Sequence, residues 1–133
     1  MTMESEHAEA RPPAKFDLEE RTALFGEAVI RFAKTIPRDT VTTPLISQIV
    51  RSGTSVGANY CEADDGVSKK DFLNKIGICK KEARETKHWL RMLATADEAK
   101  RDKCRELWQE AKELHLIFAA IIRKGKQSTQ SRH

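Results

Sequence analysis

The 133-residue sequence predicts an all-α fold, an antiparallel up-down four-helix bundle. Three observations carry that expectation. Four segments repeat apolar residues at steps of three and four, the spacing that keeps one stripe on a helix. Most of these segments are bracketed by capping or breaking residues. None shows the strict alternation of a half-buried strand. Helices of about 20 residues would each span about 30 Å, and links of a few residues make sequential helices antiparallel neighbours.

The first helix is predicted over 17–36. Asp17 suits its N-cap, its stripe is Leu18, Thr22, Phe25, Val29, Phe32 and Ile36, and Pro37 stops it. The second, over 44–65, opens with Thr43 as N-cap and Pro44 at the first helical position. Its stripe is Leu45, Ile49, Gly53, Val56, Tyr60 and Ala63, and it closes at Asp64-Asp65-Gly66, where Gly66 suits a left-handed cap. The third, over 69–94, opens at Ser68 with Asp71 three residues on as a capping-box partner. It carries Phe72, Ile76, Cys79, Ala83, Thr86, Leu90 and Leu93. Extending that stripe would bury Asp97 and Lys100, so a break is predicted between 95 and 100. The fourth, over 101–124, carries Cys104, Leu107, Ala111, Leu114, Phe118 and Ile121. The bundle thus covers 17–124, with a flexible lead over 1–16 and a flexible basic tail over 125–133.

Composition sets the broad class. With 39% hydrophobic and 33% charged residues the chain is a folded helical protein rather than a disordered one. No run approaches the roughly 18 uncharged apolar residues of a membrane helix, and the N-terminus has no apolar signal region. A cytoplasmic protein without a membrane partner is expected. Cys61, Cys79 and Cys104 are an odd number without C-x-x-C spacing, and read as small hydrophobes in a reducing compartment. The net charge of +4 is unevenly placed. Glu4, Glu6 and Glu9 outweigh Arg11 and Lys15 at the start, Arg123, Lys124, Lys126 and Arg132 crowd the end, and the body is nearly neutral.

Catalytic patterns are missing. A di-iron bundle needs two Glu-x-x-His pairs and two further inward glutamates. Only Glu85-x-x-His88 occurs, and it projects away from the Phe72/Ala83/Leu90 stripe. There is no G-x-S-x-G elbow or phosphate-cradling glycine loop, and the segment EADDG lacks the alternating oxygen ligands of a calcium loop. The sequence predicts no enzyme, no metal and no cofactor.

Two surfaces go beyond packing. Gly53 and Gly57 lie in the interior of the second helix, where each costs up to about 1 kcal/mol relative to alanine, and such small residues admit another backbone. On the other side of that helix Arg51, Ser55 and Glu62 share a face, with Asn59 beside it. Ile78, Glu82, Glu85 and Trp89 make a matching stripe on the third helix. These stripes are expected to meet within or between subunits as an oligomer or partner interface, with Arg51 pairing to Glu82 or Glu85. The second surface is cationic. Lys69, Lys80, Arg84, Lys87 and Arg91 share one flank of the third helix and could track phosphates, extended by Arg123 and Lys124. No base-reading motif accompanies them, so binding would follow backbone or shape.

The run 49–93, with Arg51-Ser52, Ser55, Ala58-Asn59, Glu62, Phe72 and the segment KEARETKHWL, resembles the 23S rRNA intervening-sequence proteins. The segment FAKTIP and the helical 104–122 segment fit the same layout, so the likeness covers about residues 17–122. It implies a bacterial four-helix bundle assembled as a ring, typically a pentamer, and no active site. A related branch is the accessory variability protein of diversity-generating retroelements, which works beside a reverse transcriptase and binds nucleic acid. Two functions follow as expectations. One is a homo-oligomeric ring scaffold that holds RNA or a ribonucleoprotein partner on its basic helix faces. The other is a protein-only adaptor that uses the polar stripes of the second and third helices.

Overall fold

The computed structural model describes residues 17–66 and 68–130. The expected lead over 1–16 and the last three residues lie outside the described residues. The helices are α1 (Leu18–Ala33), α2 (Thr42–Asp64), α3 (Lys69–Ala96) and, after a single 3-10 turn at Glu98–Lys100, α4 (Arg101–Gln130). Among the described residues there is no strand, and no helix is long and apolar enough to cross a membrane.

Each helix packs along its sequence neighbour, and α1 meets α4 more sparsely to close the bundle. The lengths differ: α1 spans about 24 Å, whereas α3 and α4 form a hairpin more than 40 Å long. The predicted stripes line the core. All six stripe residues of α1 and its following turn are buried, from Leu18 to Ile36, as are Ile76, Cys79, Ala83, Thr86, Leu90 and Leu93 of α3. Cys104, Leu107, Ala111, Leu114 and Phe118 complete it from α4. Leu45, Tyr60, Phe72 and Ile121 sit half-buried at its margin. Each fully buried Leu, Ile or Phe contributes roughly 1.5–3 kcal/mol, so this continuous stripe is what makes the helices fold together.

Small residues set the approach of α1 to α2. A Cβ on Gly53 would stand 2.9 Å from both Val29 methyl carbons, and one on Gly57 would stand 3.3 Å from the Thr22 backbone carbonyl. The backbone that these glycines admit is therefore α1 of the same chain.

Helix ends differ from the sequence expectation in detail. Asp17 occupies the N-cap of α1 and its carbonyl accepts from Arg21 N, while its side chain makes no capping bond. Helix α2 starts two residues earlier than Thr43-Pro44 suggested, because Asp39 supplies the acceptor. Its Oδ1 takes the N–H of Val41 and of Thr42, both at 2.8 Å, and Thr42 Oγ1 donates to the Pro37 carbonyl. Those two backbone N–H groups hold the Asp39 carboxyl below its usual pKa. Ser68 caps α3 as expected, its Oγ accepting from Asp71 N at 3.1 Å. Gly66 does not take the left-handed conformation. Its N–H donates to the Ala63 carbonyl at 3.0 Å, and a Cβ there would lie 3.0 Å from that same oxygen, so close approach accounts for the glycine. The α3 stripe breaks after Ala96, and α4 continues to Gln130, six residues past its predicted end.

Candidate nucleic-acid interface

Charge is sorted across the α3–α4 hairpin. At about 100° per residue, Lys80, Arg84, Lys87 and Arg91 share one flank of α3. Arg101, Arg105, Trp108, Lys112 and His115 share one flank of α4 by the same four-three-four-three spacing. The antiparallel hairpin sets these flanks against each other. Lys87 Nζ lies 5.4 Å from the centre of the Trp108 ring and Lys112 Nζ lies 5.7 Å from it. The His115 imidazole has its pKa lowered, first by partial burial and then by Lys87, Lys80 and Arg84. Part of that lowering thus comes from the positive charge of the facing helix.

Four carboxylates of the same two helices face away from the seam and are paired there. Glu110 takes Arg21 of α1 in a two-bonded fork, Nε–Oε2 and Nη2–Oε1 both at 2.8 Å, and Glu113 accepts from the same guanidinium at 2.9 Å. Glu82 and Glu85 both pair with Arg51 of α2, Glu82 at 3.2 Å. Trp89 Nε1 donates to Glu85 at 3.0 Å. The result is a cationic seam: among the described residues Lys80, Arg84, Lys87, Arg91, Arg105 and Lys112 form no salt bridge. Arg101 alone of the seam is paired, to Glu98 at 3.2 Å.

At the turn end the seam opens into a cleft of about 620 Å³. Leu90, Ala94 and Cys104 form its apolar part, and Arg91, Arg101, Arg105 and Trp108 line it with Thr95 and Gln109.

The remaining predicted site residues divide. Lys69 lies on the same flank as Lys87 but about 27 Å away along the axis, beyond Leu73 and Gly77. Arg123 stays near the α4 flank, about 60° round from Trp108, whereas Lys124 lies about 160° round and leaves the seam; Lys126 replaces it. The two polar stripes of α2 and α3 do meet, within one chain, through Arg51, Glu82, Glu85 and Trp89. Three α2 residues do not join that contact. Asn59 Nδ2 donates to the Ser55 carbonyl of its own helix, and Glu62 accepts from Lys75 Nζ at 2.7 Å. Ile78 is exposed at the edge of the stripe. The whole α4 half of the seam was missed in the sequence, although its spacing matches that of the α3 half.

Burial pushes the Cys79 thiol up to about 12 and the Cys104 thiol up to about 11, so neither is a thiolate nucleophile. No group of three metal-ligating side chains comes together among the described residues.

Comparison with known proteins finds relatives of this fold. The family model described as 23S rRNA-intervening sequence protein matches residues 15–120. A crystal structure of a protein of unknown function from the S23 ribosomal protein family of Bacteroides thetaiotaomicron is 30% identical, with a TM-score of 0.68. That match covers 78% of this chain and 96% of the other. No curated protein matches the chain. Neither description names an enzymatic activity.

Proposed function

The chain belongs to the 23S rRNA-intervening sequence protein family, and on that premise we propose that it is a non-enzymatic cytoplasmic scaffold that holds RNA by its phosphates along the α3–α4 seam. Its working form is a homo-oligomeric ring, of five subunits as the resemblance implies. The ligand is RNA alone or the RNA of a ribonucleoprotein partner.

The observation that carries this reading is the set of six cations left without carboxylate partners among the described residues, while Glu82, Glu85, Glu110 and Glu113 of the same helices are paired elsewhere. Like charges gathered on one seam repel one another in the free protein. A polyanion relieves that repulsion and releases its own condensed counterions, which is the main source of phosphate-backbone affinity. A ring multiplies the seam, and affinity grows steeply with the number of phosphates contacted. The adaptor alternative needs the Arg51/Glu62 and Glu82/Trp89 stripes for a partner. Arg51 already engages Glu82 directly and Trp89 through Glu85 between α2 and α3, while Glu62 pairs with Lys75.

The test neutralises Lys80, Arg84, Lys87 and Arg91 together. Retention on immobilised RNA at low salt should be lost while helicity stays unchanged; undiminished retention sets the reading aside. Native mass spectrometry of the unaltered protein checks the assembly, and a monomer would remove the ring.

A further inference from the structure

We propose that the cleft at the α3–α4 turn is a stacking site for one unpaired nucleotide of an RNA strand, its base against Trp108 and its phosphate on Arg91 and Arg105. The proposal rests on the phosphate-binding reading of the seam and names the form of RNA that the seam takes.

The cleft has the size and chemistry of such a site. Its volume of about 620 Å³ suits a mononucleotide-sized ligand. Its wall combines an indole and the apolar side chains of Leu90 and Ala94 with three arginines, and none of its lining residues is a carboxylate. Arginine is the side chain best shaped for phosphate, because its planar fork donates two parallel hydrogen bonds. Arg91 and Arg105 have no side-chain partner among the described residues, so their donors are available, while Arg101 shares its own with Glu98.

Trp108 decides between strand and duplex. It is half-buried against the core yet lines the cleft. The ammonium groups of Lys87 and Lys112 lie over its ring. Both end flexible side chains, so a base that stacks there displaces an ammonium, which then meets the phosphate that follows. A base can stack on an indole only when it is unstacked and unpaired, at a strand end, a loop or a bulge; a regular duplex shows that ring only its backbone. Beyond the cleft Lys87, Arg84 and Lys80 continue at intervals of about one helical turn and hold the following phosphates. The arrangement combines the two elements of strand binding without sequence preference, an aromatic platform and a cationic track.

The test uses the full chain in a Trp89→Phe background, which leaves Trp108 as its single indole because the chain has two tryptophans. The probes are a single-stranded 12-nucleotide oligoadenylate and a blunt 12-base-pair RNA duplex, each followed by anisotropy and by Trp108 fluorescence. The strand should quench Trp108. Trp108→Ala should weaken strand binding by roughly 5- to 150-fold, with Trp108→Phe recovering most of it and the duplex little affected. Strand binding that survives Trp108→Ala but disappears on reversing Arg84 and Lys87 would overturn the stacking site and leave the seam intact. Equal loss of strand and duplex in Trp108→Ala would also overturn it, since that marks a packing defect. Binding of neither probe at low salt would remove both readings.

Discussion

Ser52 Oγ of α2 and Thr86 Oγ1 of α3 lie 2.9 Å apart with both residues wholly buried. Thr86 Oγ1 is also 2.7 Å from the Glu82 carbonyl one turn back, so the threonine stays satisfied if the serine is removed, whereas the reverse does not hold as well. Ser52 has, besides Thr86, only a long contact to the Ile49 carbonyl at 3.5 Å. Thr86→Val should therefore cost about 1–3 kcal/mol by stranding the Ser52 hydroxyl, and Ser52→Ala less. The double variant should recover part of the loss. Urea unfolding of all four proteins at one protein concentration checks this, and strictly additive losses would contradict the pairing.

The same helix pair shows what glycine does in this fold. Gly53→Ala would drive a Cβ to 2.9 Å from both Val29 methyl carbons, whereas Gly77 has nothing within 4 Å of the added carbon. Helix propensity favours alanine at both positions by up to about 1 kcal/mol. Gly77→Ala should gain close to that amount, while Gly53→Ala should lose about 1–3 kcal/mol through overpacking. Adding Val29→Ala to Gly53→Ala should return part of the loss. Thermal unfolding separates these outcomes.

These positions also mark how far the fold could be read from the sequence. The four apolar stripes were legible because a helix must bury one face, and the three- and four-residue spacing of Phe25, Val29 and Phe32, or of Ala83, Thr86 and Leu90, leaves no other face to bury. The glycine pair was legible as a close approach, but which backbone approached depended on the register of α1. Helix ends were less legible: Asp39 caps α2 from three residues before its start, a contact that depends on the turn after Pro37. The site was half legible. The α3 cations stood out by their four-three-four spacing, whereas Arg101, Arg105 and Lys112, interleaved in sequence with Asp102, Glu106, Glu110 and Glu113, were not singled out. Helical geometry alone puts those acids on another side of α4 from the bases; the packing of α4 against α1 and α3 shows which side meets the α3 cations.

His115 gives the seam a pH readout. Burial and the facing Lys87, Lys80 and Arg84 lower its pKa, so the folded chain binds this proton less readily than the unfolded chain does. The stability contribution is then present above the ordinary histidine value of about 6.5 and declines as pH falls through that value, because the unfolded chain is protonated first. A polyanion on the seam offsets the three cations and should raise the pKa. Binding should therefore take up a proton and strengthen as pH falls from about 7 to 5.5. Following the His115 ring signal by NMR, with and without heparin, measures both values directly. In His115→Gln this part of the pH dependence should vanish, and an unchanged profile would separate the imidazole from the seam.

Lys124 and Lys87 test whether position or mere charge governs binding. Both are single lysines on the long hairpin, but Lys87 sits against Trp108, whereas Lys124 lies on the far side of α4. If RNA follows the seam, Lys87→Gln removes a phosphate contact and Lys124→Gln removes only net charge. For a single strand each lost contact lowers the slope of log affinity against log salt by about 0.7 per subunit engaged. Lys87→Gln should show that drop and Lys124→Gln should leave the slope unchanged, with equal helicity in both. Equal drops would mean that the strand responds to the overall positive charge of the chain, and the ordered seam would no longer be needed to explain it.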